Sequence, residues 1–167
     1  MLKKLFFLLN VVLFISFNDA YSENVTNLQN SSITESQAIQ KAKQLISGTV
    51  IKTELTTHDG INVWEVYMVT SSGGELKVKY SLDNGTMVEL KGTSPSFEYE
   101  VQPGMNLIEY STARSVALNT KTGDISEWKL EKDESDNRWE YRFFILSAGQ
   151  KWEIRIDATT GVILRIK

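Results

Sequence analysis

The chain has 167 residues, of which 41% are hydrophobic and 23% charged; this composition is typical of a soluble globular protein and excludes a disordered or polytopic membrane protein. Its 18 Lys and Arg stand against 21 Asp and Glu, so the net charge is -3 and the basic excess that nucleic-acid binding requires is missing. The sequence contains no Cys, which excludes disulfides, thiolate catalysis and Cys-ligated metal centres.

The first 22 residues show the pattern of a secretory signal peptide. Two lysines precede a mostly apolar run over residues 5–17, and the small residues Ala20 and Ser22 precede a cleavage site after Ser22. The apolar run is shorter than the roughly 20 residues that a membrane-spanning helix needs. We therefore expect cleavage after Ser22, an exported mature chain, and no membrane span once the signal peptide is removed.

A flexible leader and one α+β unit are predicted to follow. Residues 23–32 are rich in Asn and Ser, which favours a flexible segment. Thr34 and Gln37 fit a capping box ahead of apolar residues at helical spacing, and Gly48 marks the end of this helix. Segments rich in β-branched and aromatic residues, separated by Gly, Asp and Asn, then predict four strands, at 50–57, 61–70, 75–81 and 86–90.

A linker separates this unit from a second one with the same order of elements. Residues 92–106 contain both prolines of the sequence, and within them Phe97, Tyr99 and Val101 alternate with Glu. This alternation also allows part of the linker to dock as an extended edge segment. The second unit is predicted to begin with a helix near Ser111, followed by strands at 125–132, 138–147, 151–157 and 162–166.

The two units repeat one another in sequence. One constant offset along the chain pairs Trp64 with Trp139, and an offset longer by a single position pairs Gly85 with Gly161. Two copies of such a long period indicate duplicated domains, not a solenoid, and we expect Trp64 to superpose on Trp139. The predicted fold is α+β, with two tandem repeats of one helix packed on a three- to four-stranded antiparallel sheet. The predicted divisions are signal peptide 1–22, leader 23–32, domain 33–91, linker 92–106 and domain 107–167.

Three stretches of the sequence resemble the PepSY domain family. They are the helix opening Ile33–Ala38, the strand centre Trp64–Val66 and, above all, the closing run Trp152–Ile163 of the second copy. The first copy departs from the pattern, because Asp83 stands closer to its turn glycine than Asp157 does in the second copy. The resemblance covers nearly all of the mature chain.

This resemblance implies a binding function in a bacterial periplasmic or secreted setting. PepSY domains occur in propeptides of thermolysin-like metallopeptidases and in bacterial envelope proteins, where they restrain peptidases or bind other proteins. The resemblance therefore implies a non-catalytic module with a protein partner, which it inhibits or chaperones, the partner being a peptidase or another envelope enzyme. A second hypothesis is an envelope scaffold protein, or an antagonist of a foreign hydrolase such as lysozyme, built on a similar unit.

Residues suited to catalysis or metal binding are sparse. His58 is the single His and falls in the predicted turn over 56–60, where an exposed position argues against a catalytic base and leaves a zinc site short of ligands. Residues 133–137 offer oxygen ligands for calcium but lack the central Gly of a calcium loop, so a polar hairpin turn is favoured. Asp157 and Gly161 are predicted to shape a turn. We therefore predict no catalytic residue, no metal site and no cofactor.

Strand alternation divides the remaining residues between two faces. Trp64, Val66 and Met68 are predicted to lie beneath the first helix, and the opposite face carries mostly charged residues. Apolar residues also fall on that outward face, where they either pack the two domains together or bind a partner. With two aromatic residues of the linker they make up the predicted protein-binding residues, which are Tyr67, Val69, Phe97, Tyr99 and Phe144.

Overall fold

The computed structural model describes residues 32–167, apart from 95, 96, 98 and 134. The predicted signal peptide and all but the last residue of the predicted leader lie outside the described residues. The described chain contains two helices and eight strands. In chain order they are α1 (Glu35–Leu45), β1 (Thr49–His58), β2 (Ile61–Val69), β3 (Glu75–Ser81), β4 (Met87–Gly92), α2 (Tyr110–Thr120), β5 (Asp124–Lys132), β6 (Trp139–Ser147), β7 (Gln150–Asp157) and β8 (Ile163–Ile166).

All eight strands belong to one antiparallel sheet, in the order β1 to β8. The two halves are joined where β4 pairs with β5, with Leu90 opposite Leu130. The α+β class is thus confirmed, whereas the prediction of a separate three- to four-stranded sheet in each half is wrong. Separate sheets would leave the edges of β4 and β5 unpaired, and pairing them satisfies their backbone groups while both leucines become fully buried.

Both helices pack on the same face of this sheet, α1 on β1 and β2, and α2 on β6 and β7. The predicted capping box at the start of α1 is confirmed. The backbone N–H of Gln37 donates to Thr34 Oγ1 over 3.3 Å, and the Thr34 N–H donates to Gln37 Oε1 over 2.8 Å. Helix α2 starts after Glu109, whose side chain makes no cap, so α2 depends more on packing of its buried first residue, Tyr110.

The helix-covered face carries the hydrophobic core, which runs through both halves. Residues opposite one another on neighbouring strands point to the same face, so apolar side chains form rows across the sheet. One row spans all eight strands and consists of Thr53, Val66, Val78, Leu90, Leu130, Tyr141, Ile156 and Ile163. Because this row crosses from β4 to β5 without a break, the two halves share one core.

The segment between the halves is part of this core. Phe97 is 7% exposed and Val101 is fully buried. The Tyr99 ring stacks on Tyr110 with 5.2 Å between ring centroids, and its hydroxyl accepts a hydrogen bond from the indole N–H of Trp128 on β5. The linker therefore docks on the helix-covered face and not along a sheet edge, because that face offers the apolar surface that its aromatic residues bury.

The two halves make equivalent hydrogen bonds, in a register that differs from the predicted one. The indole N–H of Trp64 donates to Ile33 O over 2.9 Å, and the Tyr141 hydroxyl donates to Ile108 O over 2.9 Å. Trp64 therefore corresponds to Tyr141, which follows Trp139 on the same face of β6, and the predicted superposition of Trp64 on Trp139 is wrong.

The two halves differ in the lengths of their turns, which changes the offset between equivalent residues along the repeat. The turn between β5 and β6 is longer than the two-residue turn between β1 and β2, and the turn between β6 and β7 is shorter than that between β2 and β3. The predicted match of Gly85 with Gly161 holds, since these glycines have φ of 66° and 75° and donate to Ser81 O and Asp157 O. The predicted repeat allows one added residue after Trp139, whereas the structure has two changes of turn length, which partly cancel.

Replacing Tyr99 by Ala tests the shared core. The change removes ring contacts with Tyr110 and Trp128, so we expect the free energy of unfolding to fall by about 3 to 5 kcal/mol. Urea titration followed by tryptophan fluorescence and circular dichroism measures this. Met105→Ala, at a 53% exposed position of the same segment, should change stability by less than about 0.5 kcal/mol. Separate transitions for the two halves of the unaltered chain would contradict a shared core.

Candidate functional site

The second face of the sheet, which we call the uncovered face, is covered by neither of the described helices and carries mainly charged residues. Strand pairing aligns them in two rows. The basic row contains, from β1 to β8, Lys52, Tyr67, Lys77, Lys91, Lys129, Arg142, Arg155 and Arg165. The acidic row contains, from β1 to β7, Glu54, Glu65, Lys79, Glu89, Glu131, Glu140 and Asp157.

Ion pairs offset the repulsion between like charges within each row. Lys77 Nζ lies 2.5 Å from Glu65 Oε1, and Lys79 Nζ lies 2.7 Å from Glu89 Oε1. The Arg142 guanidinium contacts three carboxylates, at 2.8 Å (Glu131), 3.3 Å (Asp133) and 3.5 Å (Glu140). The uncovered face is therefore a lattice of paired charges and not a patch of one sign.

The centre of this lattice is buried. The side chains of Glu65, Glu89 and Glu140 are 8%, 7% and 5% exposed, because long Lys and Arg side chains pack over them. Burial by itself raises the pKa of Glu89, but the hydrogen bond and the charge of the Lys79 ammonium outweigh it and hold that pKa below the usual glutamate range. Glu89 is therefore ionised at neutral pH and engaged with Lys79.

Two pairs of apolar residues interrupt the charges. Tyr67 and Val69 lie on β2, and Phe144 and Leu146 lie at the equivalent positions of β6, in the register that matches Trp64 with Tyr141. We call these pairs the two apolar dyads. The predicted residues Tyr67, Val69 and Phe144 thus share the uncovered face, and Leu146, which is 47% exposed, joins them.

Leu146 is the residue that the sequence reasoning missed. The predicted offset, which places Trp64 on Trp139, also pairs Val69 with Phe144 and thereby hides Leu146. The register of the structure instead pairs Val69 with Leu146 and Tyr67 with Phe144. Strand alternation counted onward from Phe144 also places Leu146 on this face.

Lysine ammonium groups lie beside both aromatic rings of the dyads. Lys52 Nζ is 5.3 Å from the Tyr67 ring centroid, and Lys151 Nζ is 4.6 Å from that of Phe144, both within cation–π range. The Tyr67 hydroxyl donates to Glu65 Oε2 over 3.1 Å. Burial, together with this carboxylate, raises the pKa of Tyr67 to about 12. Tyr67 therefore presents a protonated hydroxyl on an oriented ring.

The other two predicted residues, Phe97 and Tyr99, lie on the opposite face. Phe97 is buried in the core of the chain and Tyr99 is partly buried against it, so neither lies on the uncovered face. The halves of the sheet meet edge to edge through β4 and β5, so neither dyad lies between them.

A cleft of about 880 Å³ opens where the pairing of β4 with β5 ends, and Glu89, Lys129 and His58 contribute to its lining. The expectation of an exposed His58 at a turn tip is wrong. β1 extends through His58, whose side chain is 20% exposed, and Lys79 Nζ donates to His58 Nδ1 over 3.0 Å. His58 Nε2 lies 3.3 Å from Asp59 Oδ2, so both ring nitrogens contact neighbouring side chains of the chain itself.

The two acidic turns have structural hydrogen bonds. Asp157 Oδ1 accepts from the backbone N–H groups of Thr159 and Thr160 over 2.9 and 2.8 Å, as predicted for this turn. Asp133 Oδ1 accepts from the backbone N–H of Ser135 over 2.9 Å, which is typical of a hairpin turn. In the described part of the chain, no group of three or more His, Asp or Glu could hold a metal ion. Neither described helix is long and apolar enough to cross a membrane.

Replacing Glu89 by Gln tests the buried lattice. The change leaves the Lys79 ammonium buried beside a neutral group, so we expect the free energy of unfolding at neutral pH to fall by about 3 to 5 kcal/mol. The matched control is Glu54→Gln in the exposed pair with Lys52, which should cost less than about 1 kcal/mol. Urea titration measures both, and equal losses would contradict the buried role of Glu89.

The lowered pKa of Glu89 also predicts a dependence on pH. The ionised carboxylate stabilises the folded chain above the ordinary glutamate pKa, and this stabilisation is lost as the pH falls through the lowered value. Glu89→Gln should therefore lose less stability than the unaltered chain between neutral and acid pH. Unfolding midpoints measured across that range would show the same acid sensitivity in both proteins if another carboxylate were responsible.

Comparison with known proteins assigns the family. The sequence matches the family model of the peptidase propeptide and YPEB domain, PepSY, over residues 32–101 and 107–167. No curated protein matches it. A lipoprotein candidate from Clostridium difficile 630, known from a crystal structure, is similar at 19% identity with a TM-score of 0.39, over 81% of this chain and 93% of that chain. The two family matches fall on the two halves of the sheet, and the chain belongs to the PepSY family, with two tandem domains.

Proposed function

We propose that the chain is a non-catalytic, exported bacterial protein, periplasmic or secreted, that binds a protein partner through the uncovered face. The partner is a peptidase or another envelope enzyme, which this chain inhibits or chaperones. The observation that carries the proposal is the repetition of the apolar dyad, Tyr67 with Val69 and Phe144 with Leu146, on a face that the helices leave open. Membership of a peptidase-propeptide family supports the class of partner.

The spacing of the dyads favours a macromolecular partner. Four strand spacings separate β2 from β6, so the dyads lie about 19 Å apart across the sheet. Interfaces between proteins commonly centre on aromatic anchors surrounded by polar residues. Two such anchors on one sheet match a broad protein surface better than a small ligand, which would reach only one of them.

The charged lattice supports recognition in a different way. Side chains already held in ion pairs, such as Lys77 with Glu65, lose little conformational freedom when a partner docks. The alternation of sign across the face disfavours partners with uniformly charged surfaces. The same pairing engages the acids and bases that catalysis would need, which supports a binding role over an enzymatic one.

The double variant Tyr67→Ser/Phe144→Ser tests this proposal. Because both residues are partly exposed and lie outside the core, we expect the unfolding midpoint to stay nearly unchanged while partner binding is lost. The measurement is affinity purification of the tagged protein from periplasm or culture medium, with mass spectrometry of the retained proteins. Ile166→Ser, at a 52% exposed apolar position opposite Ile154 on the helix-covered face, is the matched control and should retain the partner.

Four outcomes would contradict the proposal. Retention of the same enzyme by the double variant would show that the dyads are not the contact. A large fall in stability would give them a structural role. Recovery of cell-wall components without an enzyme would favour the scaffold hypothesis, and recovery of a foreign lysozyme would favour the antagonist hypothesis.

A further inference from the structure

Strand β1 forms one edge of the sheet and carries exposed apolar residues. Among the described residues, β1 pairs only with β2, so one side of this ten-residue strand has no strand neighbour. Ile51 is 60% exposed and Leu55 is 56% exposed. A long edge strand with exposed apolar residues offers backbone groups and side chains to another extended chain.

The opposite edge, β8, differs in ways that block such pairing. It has four residues, and Arg165 and the following Lys167 give it only positive charge. A second strand of the same sequence would bring like charges together. The β1 edge instead carries one charge of each sign, on Lys52 and Glu54, and both are well exposed at 55% and 42%.

The sequence of β1 is complementary to itself in the antiparallel direction. With Thr53 placed opposite Thr53 of a second copy, Lys52 lies opposite the partner's Glu54, and Ile51 lies opposite the partner's Leu55. Each of these contacts occurs twice, because the arrangement is symmetric. Ile51 is the residue at the β1 bulge, since the register passes from Val50 to Lys52 without a partner for it, and it forms the end of the paired segment. Opposite charges and apolar pairs at facing positions are the combinations that stabilise antiparallel strands.

We propose that a second copy of this chain docks edge to edge on β1, antiparallel, about a twofold axis at Thr53. The two sheets then form one continuous sheet, and the end of each acidic row meets the end of the other copy's basic row at Glu54 and Lys52. An isologous contact of this kind closes on itself, so it produces a dimer and not a filament. The segment is short, so the dimer is weak and depends on protein concentration.

A single introduced cysteine tests the axis. The chain has no Cys, so Thr53→Cys supplies the only thiol, and the two thiols of a dimer stand on directly facing residues whose Cα atoms are about 4.5 to 5.5 Å apart. We expect rapid disulfide-linked dimer formation under mild oxidation. Thr57→Cys is the matched control, because the two copies of residue 57 are eight strand positions apart, about 27 Å, and should not cross-link. Cross-linking of both variants at equal rates, or of neither, would overturn the proposal.

Charge exchange provides an independent test in solution. Glu54→Lys places Lys opposite the partner's Lys52, and we expect it to weaken the dimer at least tenfold in sedimentation equilibrium. The double variant Lys52→Glu/Glu54→Lys restores opposite charges and should recover the dimer. Because the pair is exposed, both variants should keep the circular dichroism spectrum and unfolding midpoint of the unaltered chain. An unaltered chain that stays monomeric, or a dimer insensitive to Glu54→Lys, would exclude this interface.

Discussion

The pairing of β4 with β5 is the interaction on which the rest of the structure depends. Each half alone would offer a short sheet with a small core, and units of about 60 residues are only marginally stable. Pairing β4 with β5 places Leu90 opposite Leu130 and extends one hydrophobic core through all eight strands. The same pairing places Trp128 opposite Gly92, where the Cβ of any other residue would clash with the indole ring. Tyr99 packs beside both residues and accepts the hydrogen bond of the Trp128 indole N–H. The linker therefore packs on the residues where β4 and β5 pair.

The charged lattice is the polar counterpart of this continuous core. Since side chains alternate between faces, a slip of one residue in any strand would move charged groups into the core and apolar groups to the uncovered face. The buried pair of Lys79 and Glu89 adds to this specificity, because a misplaced partner would leave a charge buried alone. The position of this face relative to the helices is therefore strongly specified, and so is the spacing of the two dyads on it.

Local features of the fold were predictable and non-local ones were not. The capping box of Thr34 and Gln37 and the turn at Asp157 depend on residues within a few positions, so their sequence patterns are sufficient. The alternation of side chains along a strand is also local, and it correctly predicted that Tyr67, Val69 and Phe144 lie on one face. The pairing of β4 with β5 leaves no local signal, since an edge strand and a paired strand of this composition look alike. Burial of His58 was missed because it depends on Lys79, which is distant in sequence, and Leu146 was missed because two changes of turn length displaced the repeat.

The fourth strands of the two halves, β4 and β8, differ in how well their edges accept another strand. A tandem duplication extends a sheet only if the last strand accepts another one. In the first half, Glu89 on β4 lies opposite Lys79, which neutralises it, and the strand accepts β5. At the corresponding place in the second half, Arg165 on the shorter β8 lies opposite Arg155. A strand that paired with β8 would therefore meet a four-residue edge carrying Arg165, where β5 meets the longer β4 carrying Glu89.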